Sequence, residues 1–405
     1  MDVKRGGLVG DQMDSALCER ILAEVEALSD ELVEAVRDVV RIDSVQADPE
    51  PGAPFGPGCR RALDHTLELA EGMGFETYNL DGYAGYASWP SVGAGADGEP
   101  LEGYVCAVGH LDVVPVGTGW KEPPFSASLA DGTIYGRGVL DNKGPIYACL
   151  FALWTLRRLG LEPRREVRVI FGCNEETGMA DMEHYLSHES APVMGFTPDC
   201  KYPVVYAERG RARVRLAPKD APASPSGAVY AEEVERLFTF VNEFVLNAKP
   251  NGERLGIDVN DPEFGVTQTR NWRLVHVDGR PCIELAVSYP AGITGEELLR
   301  RMNEAIASAG FVATLLSDLA PVRFERDCRL VRTLQDTYER VTGNDGTPVT
   351  TTGGTYAKVV PNIVPFGPSF PGQRDIGHQP NEWMTVEDLL TNAKIYALSL
   401  YQLSR

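Results

Sequence analysis

No window of this 405-residue sequence approaches the apolar length needed to cross a bilayer as a helix. Residues 1–7 lack the apolar stretch of a signal peptide. The eight cysteines are scattered, with none of the paired spacings of a zinc finger or a disulfide framework. Together these absences predict reduced thiols in a cytoplasmic enzyme. Basic residues are also scarce. Lys and Arg number 38 against 58 Asp and Glu, for a net charge of −20. That balance argues against nucleic acid and against anionic membrane surfaces as partners. Gly136 and Gly138 lack the further glycines of a nucleotide-binding loop. No internal repeat and no low-complexity tract is present.

What is present is a globular chain, 43% hydrophobic and long enough for two or three domains. An amphipathic helix is predicted over about 14–41, with Leu17, Ile21, Val25, Leu28, Leu32, Val36 and Val39 on one side. Strands and helices then alternate to about residue 206, the pattern of an α/β sheet. Near Glu208-Arg209-Gly210 the pattern changes. A half-exposed strand (211–216), a loop (218–225), a helix (232–246), strands near 272–277 and 282–288, and a helix (295–308) follow. The helix over 386–403 closes the chain. The expected organisation is a catalytic domain in two parts, 1–207 and 322–405, interrupted by a smaller domain over 208–321.

The residues that carry chemistry sit where strands end. His110 and Asp112 follow the buried run 103–108, and Gly109 marks its end. The imidazole can bind a metal while the carboxylate orients the ring from its other nitrogen. Asp141 lies in a glycine-bounded loop before a helix, where it is a ligand or a simple N-cap. Glu175 and Glu176 follow the strand 167–171. Adjacent carboxylates repel unless a cation lies between them. One of the pair can bind that cation, and the other can act as a general base. A solvated acidic turn is the plain alternative. Asp199 stands in a stiff turn between Pro198 and Pro203. His378 lies far along the chain, before Thr385, which reads as a helix N-cap. His184 and His188 are one helical turn apart, but the glutamate of a zincin helix is missing between them. They read as surface or capping residues, and His65 as structural.

Taken in order, His-x-Asp, Asp, Glu-Glu, Asp and a distant His resemble the ligand stations of the aminoacylase/carboxypeptidase family of co-catalytic zinc metallopeptidases. The resemblance is closest to its bacterial dipeptidase branch, the carnosinase-like, Xaa-His type. Gly195-Phe196-Thr197-Pro198-Asp199, Gly353-Gly354-Thr355-Tyr356-Ala357-Lys358 and Gly377-His378-Gln379 carry that closer match. It implies a mixed-sheet α/β catalytic domain with helices on both faces and an inserted α+β sandwich lid. It also implies two divalent metal ions per chain, Zn2+ first, with Mn2+ or Co2+ also suited to the ligands. His110 and Asp199 would bind one ion, Glu176 and His378 the other, and Asp141 would bridge them. Asp112 would orient His110. Glu175 would be the general base and acid toward a metal-bridging hydroxide.

Two departures from the branch stand out. Lys358 replaces the arginine that ends Gly-Gly-Thr-Tyr-x-Arg and holds the substrate's carboxylate, so a point charge replaces a bidentate fork. No histidine stands at the lid position that reaches the scissile carbonyl. Asn260 is the neutral donor available there, and a homodimer whose partner lid supplies the group is left open. Gly354 and Thr355 would line the substrate site with Lys358. The function expected is cleavage of dipeptides with a free C-terminal carboxylate. The alternative is deacylation of N-acetyl or N-succinyl amino acids. An intact Glu175 argues against a silent binding protein, and an oxygen-rich ligand set without cysteine clusters argues against structural zinc.

Overall fold

The computed structural model describes residues 13–91, 101–219 and 227–405. Residues 1–7 and most of the loop expected at 218–225 lie outside that range. The chain divides into two compact units. Unit one holds the chain up to Val204, Asp327–Thr347 and Val360–Arg405, and unit two holds Val205–Arg326 and Pro348–Val359. Unit two therefore takes back a segment that the expected boundary at 322 leaves with the catalytic domain. The cause is a strand pairing: Val349–Thr351 runs parallel to Val205–Glu208.

Unit one is built on a six-stranded mixed sheet. Its strands are β1 (Glu76–Leu80), β2 (Ala84–Trp89), β3 (Tyr104–His110), β4 (Glu166–Gly172), β5 (Met194–Thr197) and β6 (Ile363–Pro365). They lie in the order β1-β2-β4-β3-β5-β6. β4, β3, β5 and β6 are parallel, whereas β2 runs antiparallel to β4 and β1 to β2. Every residue of β3 is buried. A parallel strand covered on both faces reads as a continuous apolar run, which is why the strand is plain in the sequence, although it continues through Gly109, its expected end, to His110.

The helices of unit one are α1 (Ser15–Ala27), α2 (Ser29–Val40), α3 (Pro57–Gly72), α4 (Lys143–Arg158), α5 (Ala180–His188), α6 (Arg329–Thr342) and α7 (Val386–Leu403). α4 packs against α1, α2 and α7. The single helix expected over 14–41 is two helices, broken at Leu28. Leu28 stays buried, and Ile21 and Val25 before it and Leu32, Val36 and Val39 after it are buried as well. The apolar pattern thus crosses the break without interruption. Thr385 caps α7 as expected, its hydroxyl accepting the Asp388 N–H at 2.9 Å. The start of α4 requires glycine. A Cβ on Gly144 would stand 2.1 Å from the Val139 carbonyl oxygen.

Unit two is a four-stranded antiparallel sheet of Gly210–Pro218, Gln268–Val277, Arg280–Tyr289 and Phe311–Leu319. Helices Gly227–Val241 and Gly295–Ile306 belong to the same unit. Val214, Leu216, Phe240, Leu285, Met302 and Phe311 lie in its core. The helix expected over 232–246 is α-helical through Val241 and then widens into a π-turn, Asn242–Leu246. Among the described residues, no helix is long and apolar enough to cross a membrane.

Candidate metal centre

The parallel strands β3, β4 and β5 end on the same side of the sheet, and their exits carry His110, Glu175-Glu176 and Asp199. Ligands collect at such carboxyl ends in open α/β sheets. His110 is fully buried. Its Nδ1 lies 2.8 Å from the main-chain oxygen of Asp112, which leaves Nε2 as the ligand nitrogen. That Nε2 faces Asp141 Oδ1 at 3.1 Å and Asp199 Oδ2 at 3.8 Å. Asp112 therefore orients the ring chiefly through its backbone, with its carboxylate Oδ1 at 3.5 Å. The carboxylate has a second task. It accepts the backbone N–H groups of Glu175 at 3.1 Å and of Glu176 at 3.2 Å, and so fixes the turn that carries both.

Asp141 lies between two imidazoles. Its Oδ1 faces His110, and its Oδ2 lies 3.0 Å from His378 Nε2. The same His378 nitrogen is 2.8 Å from Glu176 Oε1. His378 adopts a left-handed backbone, φ 62°, and Gly377 before it lets Asp141 approach, since a Cβ there would meet Oδ2 at 3.1 Å. Ligand atoms of His110, Glu175 and Asp199 lie within 4.8 Å of one another, as do those of His110, Asp141 and Glu176. All six side chains expected at the centre, with Asp112, thus converge within unit one.

The electrostatics ask for cations. Burial pushes the Glu175 and Asp199 carboxyls well above the usual range, and the negative charge of their neighbours adds to it. Burial acts the same way on Asp141, but hydrogen bonds from His110 and His378 outweigh it and hold that carboxyl far below the usual value. Hydrogen bonds to Asp141 and Glu176 raise His378 to about 10. A shared carboxylate with one oxygen toward each imidazole, and further carboxylates on either side, fits a pair of divalent ions. Such ions would relieve the repulsion that adds to burial in raising Glu175 and Asp199.

Three supporting residues were not foreseen. Asn142 Nδ2 donates to the Pro198 carbonyl at 2.6 Å, tying the Asp141 loop to the Asp199 turn. Asp181 at the start of α5 accepts the N–H groups of Cys173 and Asn174 at 2.7 and 2.8 Å, just before the glutamate pair. Glu382 Oε1 accepts the N–H groups of Gly138 (3.1 Å), Leu140 (2.9 Å) and Asp141 (3.1 Å), while Oε2 pairs with Arg137 at 2.7 Å. Burial pushes the Glu382 carboxyl up to about 7, and the Asp141 charge adds to it. Glu382→Ala would leave a buried guanidinium and three N–H groups without their acceptor. A loss of about 3–5 kcal/mol in stability is expected, the range for breaking a buried ion pair. Metal content should fall with it, as the Asp141 loop loosens. Denaturant unfolding and elemental analysis check the two halves, and a variant as stable as the native protein would show that the loop holds without Glu382.

The residues expected at the substrate, Gly354, Thr355, Lys358 and Asn260, all belong to unit two. Lys358 is placed differently from the expectation of a substrate-facing ammonium. Its side chain is enclosed, and Nζ donates to the carbonyls of Arg209 at 2.6 Å and Ala320 at 3.0 Å, with Glu208 Oε2 at 3.8 Å. Burial lowers this ammonium to about 8 and raises the Glu208 carboxyl to about 7. Thr355 is likewise engaged, its hydroxyl donating to Glu208 Oε1 at 3.2 Å. Gly354 lies beside Arg211, and Asn260 is exposed. In unit one, a pocket of about 380 Å³ adjoins Asp141 and Asp199 and is lined in part by Lys201, Gln373 and Arg374.

Imidazoles and carboxylates gathered at the parallel strand ends of an α/β sheet define a metal-dependent hydrolase. The sequence matches the model of peptidase family M20/M25/M40 over residues 106–402, and the chain belongs to that family. It is a metal-dependent peptidase. A Bacillus subtilis (strain 168) relative named "Putative dipeptidase YtjP" is 29% identical over 471 aligned positions, which cover 94% of this chain and 99% of the relative. Human carnosine dipeptidase 1 shares the fold with a TM-score of 0.69 at 16% identity, over 96% of this chain and 99% of that one. The Bacillus subtilis YXEP protein, described as a dinuclear metal binding peptidase of family M20, does so with a TM-score of 0.58 at 15% identity, over 93% and 98%.

Proposed function

We propose that this chain is a dipeptidase that cleaves the peptide bond of dipeptides bearing a free C-terminal carboxylate. Asp141 carries the reading: each of its oxygens faces a different imidazole, and Glu175 is gathered with one of them, His110, and with Asp199. His110 and Asp199 would hold one divalent ion and Glu176 and His378 the other, with Asp141 shared. Zn2+ suits this ligand set best, and Mn2+ and Co2+ fit it too. When bound, such a pair supplies a water activated near neutral pH and polarises the scissile carbonyl. Glu175 takes the water's proton and returns it to the leaving amine. Asp112 holds that base in place through the Glu175 N–H.

The dipeptidase name of the relative favours dipeptides over N-acyl amino acids. A panel of both substrate types, assayed with zinc, manganese and cobalt, tests the choice. Turnover of N-acetyl or N-succinyl amino acids above that of every dipeptide would reverse it.

Lys358→Met separates a substrate contact from an internal one. The enclosed ammonium supports the internal task, so discrimination between free and amidated dipeptides should persist. Stability should fall by about 3–5 kcal/mol, because Glu208 loses its buried counter-charge. An acid whose folded pKa exceeds its unfolded value of about 4.3 binds its proton more tightly when folded. Its contribution to stability is therefore lost as pH rises through that interval, and the loss in Lys358→Met should be larger at pH 8 than at pH 5. A variant of native stability that no longer distinguishes the amide would return Lys358 to the substrate. If the internal task holds, Lys201 and Arg374 beside Asp141 and Asp199 are the next groups to test for the carboxylate.

A further inference from the structure

α5 ends in two histidines one turn apart, and the chain brings them an acid from far away. Asp81 lies 3.1 Å from His184 Nε2 through its Oδ2. The rings of His184 and His188 are 4.4 Å apart. One ligand atom from each of the three side chains falls within 4.8 Å of the others. We propose that Asp81, His184 and His188 form a further metal site, separate from the catalytic centre, that takes one divalent transition ion of the zinc, nickel or copper class.

The local structure prepares the three ligands. Asp81 and Gly82 both have positive φ, 54° and 76°, and the Tyr83 N–H closes the turn on the Leu80 carbonyl at 2.9 Å. This is the Asp-Gly turn of a tight hairpin between β1 and β2, and it fixes the backbone of Asp81. Tyr83, the next residue after the turn, stacks on the His184 ring at 4.1 Å and 15° and holds its plane. Ser187 donates its hydroxyl proton to the His184 carbonyl at 2.6 Å. It can then only accept from His188 Nδ1, 3.0 Å away. His188 Nδ1 also lies 2.9 Å from the His184 carbonyl, a pure acceptor. Both contacts require the hydrogen on Nδ1, which leaves Nε2 with the lone pair a metal needs.

The ligand chemistry selects the ion class. Two imidazoles and one carboxylate suit zinc, nickel or copper, whereas calcium and magnesium demand oxygen ligands. Three protein ligands leave positions for water, as expected of a surface site. An ion here would fasten the β1–β2 hairpin to the end of α5. The other end of that helix holds the backbone ahead of Glu175 through Asp181.

The test uses the full chain, stripped with a chelator and titrated with Zn2+ alone. The native protein should bind one equivalent beyond those lost in Asp141→Ala. His184→Gln/His188→Gln should lose that equivalent and keep dipeptide turnover, since neither residue belongs to the catalytic centre. Asp81→Asn, a milder change, should weaken the extra equivalent about 10-fold or more and leave the others unchanged. Retention of the extra equivalent by the double histidine variant would overturn the site. So would unchanged affinity in Asp81→Asn, because a histidine pair alone would then account for the binding. Should the double variant fail to fold, the Asp81→Asn titration decides alone.

Discussion

Glu175→Gln is expected to keep its metal ions and to lose about 10²–10⁴-fold in kcat, the range of a positioned acid–base group. The amide has nearly the shape of the carboxylate, and the Glu175 N–H that binds Asp112 is untouched by the change. What disappears is a group able to accept a proton from water and pass it to the leaving amine. Glu176 rather than Glu175 contacts His378, at 2.8 Å, so the ligand set should survive. Asp141→Ala should behave in the opposite way. It removes the carboxylate that both imidazoles face, and metal should be lost with activity. Elemental analysis beside single-turnover kinetics separates the two outcomes. If both variants lost metal to the same extent, the division between base and ligand would be wrong.

The parts of this site legible in the sequence are those with a one-dimensional signature. A buried parallel strand is a continuous apolar run, so the runs before His110 and before the Glu175-Glu176 pair could be found, although the first strand continues through Gly109 to His110; the short strand before Asp199 reads only as a stiff turn. The supporting groups have no such signature. Glu382 acts on three backbone N–H groups of a distant loop, and nothing in a run of side chains announces which carboxylate will do so. Lys358 shows a different limit. Its place after a glycine-rich run suggested an open contact, and no run of side chains announces that its Nζ meets the carbonyls of Arg209 and Ala320, with Glu208 at 3.8 Å. His184 and His188 read as surface residues because no third ligand stands within their own helix, and the Asp81 carboxylate that lies 3.1 Å from His184 comes from a distant hairpin. The break at Leu28 left no trace either, because a helix can change direction while its apolar stripe continues.

Removal of metal should abolish turnover outright, and its restoration should return it. The expected loss is total because the proposed mechanism would depend on the ions twice, for an activated water and for a polarised carbonyl. None of the side chains gathered here replaces either role. Glu175 can move a proton but cannot make water a strong nucleophile alone. The stripped protein should also be less stable. Asp112, Asp141, Glu175, Glu176 and Asp199 crowd one buried region, and burial with mutual repulsion already lifts Glu175 and Asp199 well above the ordinary carboxylate range. Ions that bind the folded chain and not the unfolded one stabilise it in proportion to the logarithm of their free concentration over Kd, about 2.7 kcal/mol at a hundredfold excess. Thermal unfolding of stripped and reloaded protein should therefore differ by several degrees, with the midpoint rising as zinc, manganese or cobalt is added. Asp141→Ala should show little of that rise, since it lacks the carboxylate that both ions would share. Full turnover by a sample verified to contain no metal would remove the dinuclear mechanism, because Glu175 would then have to act on an unactivated water.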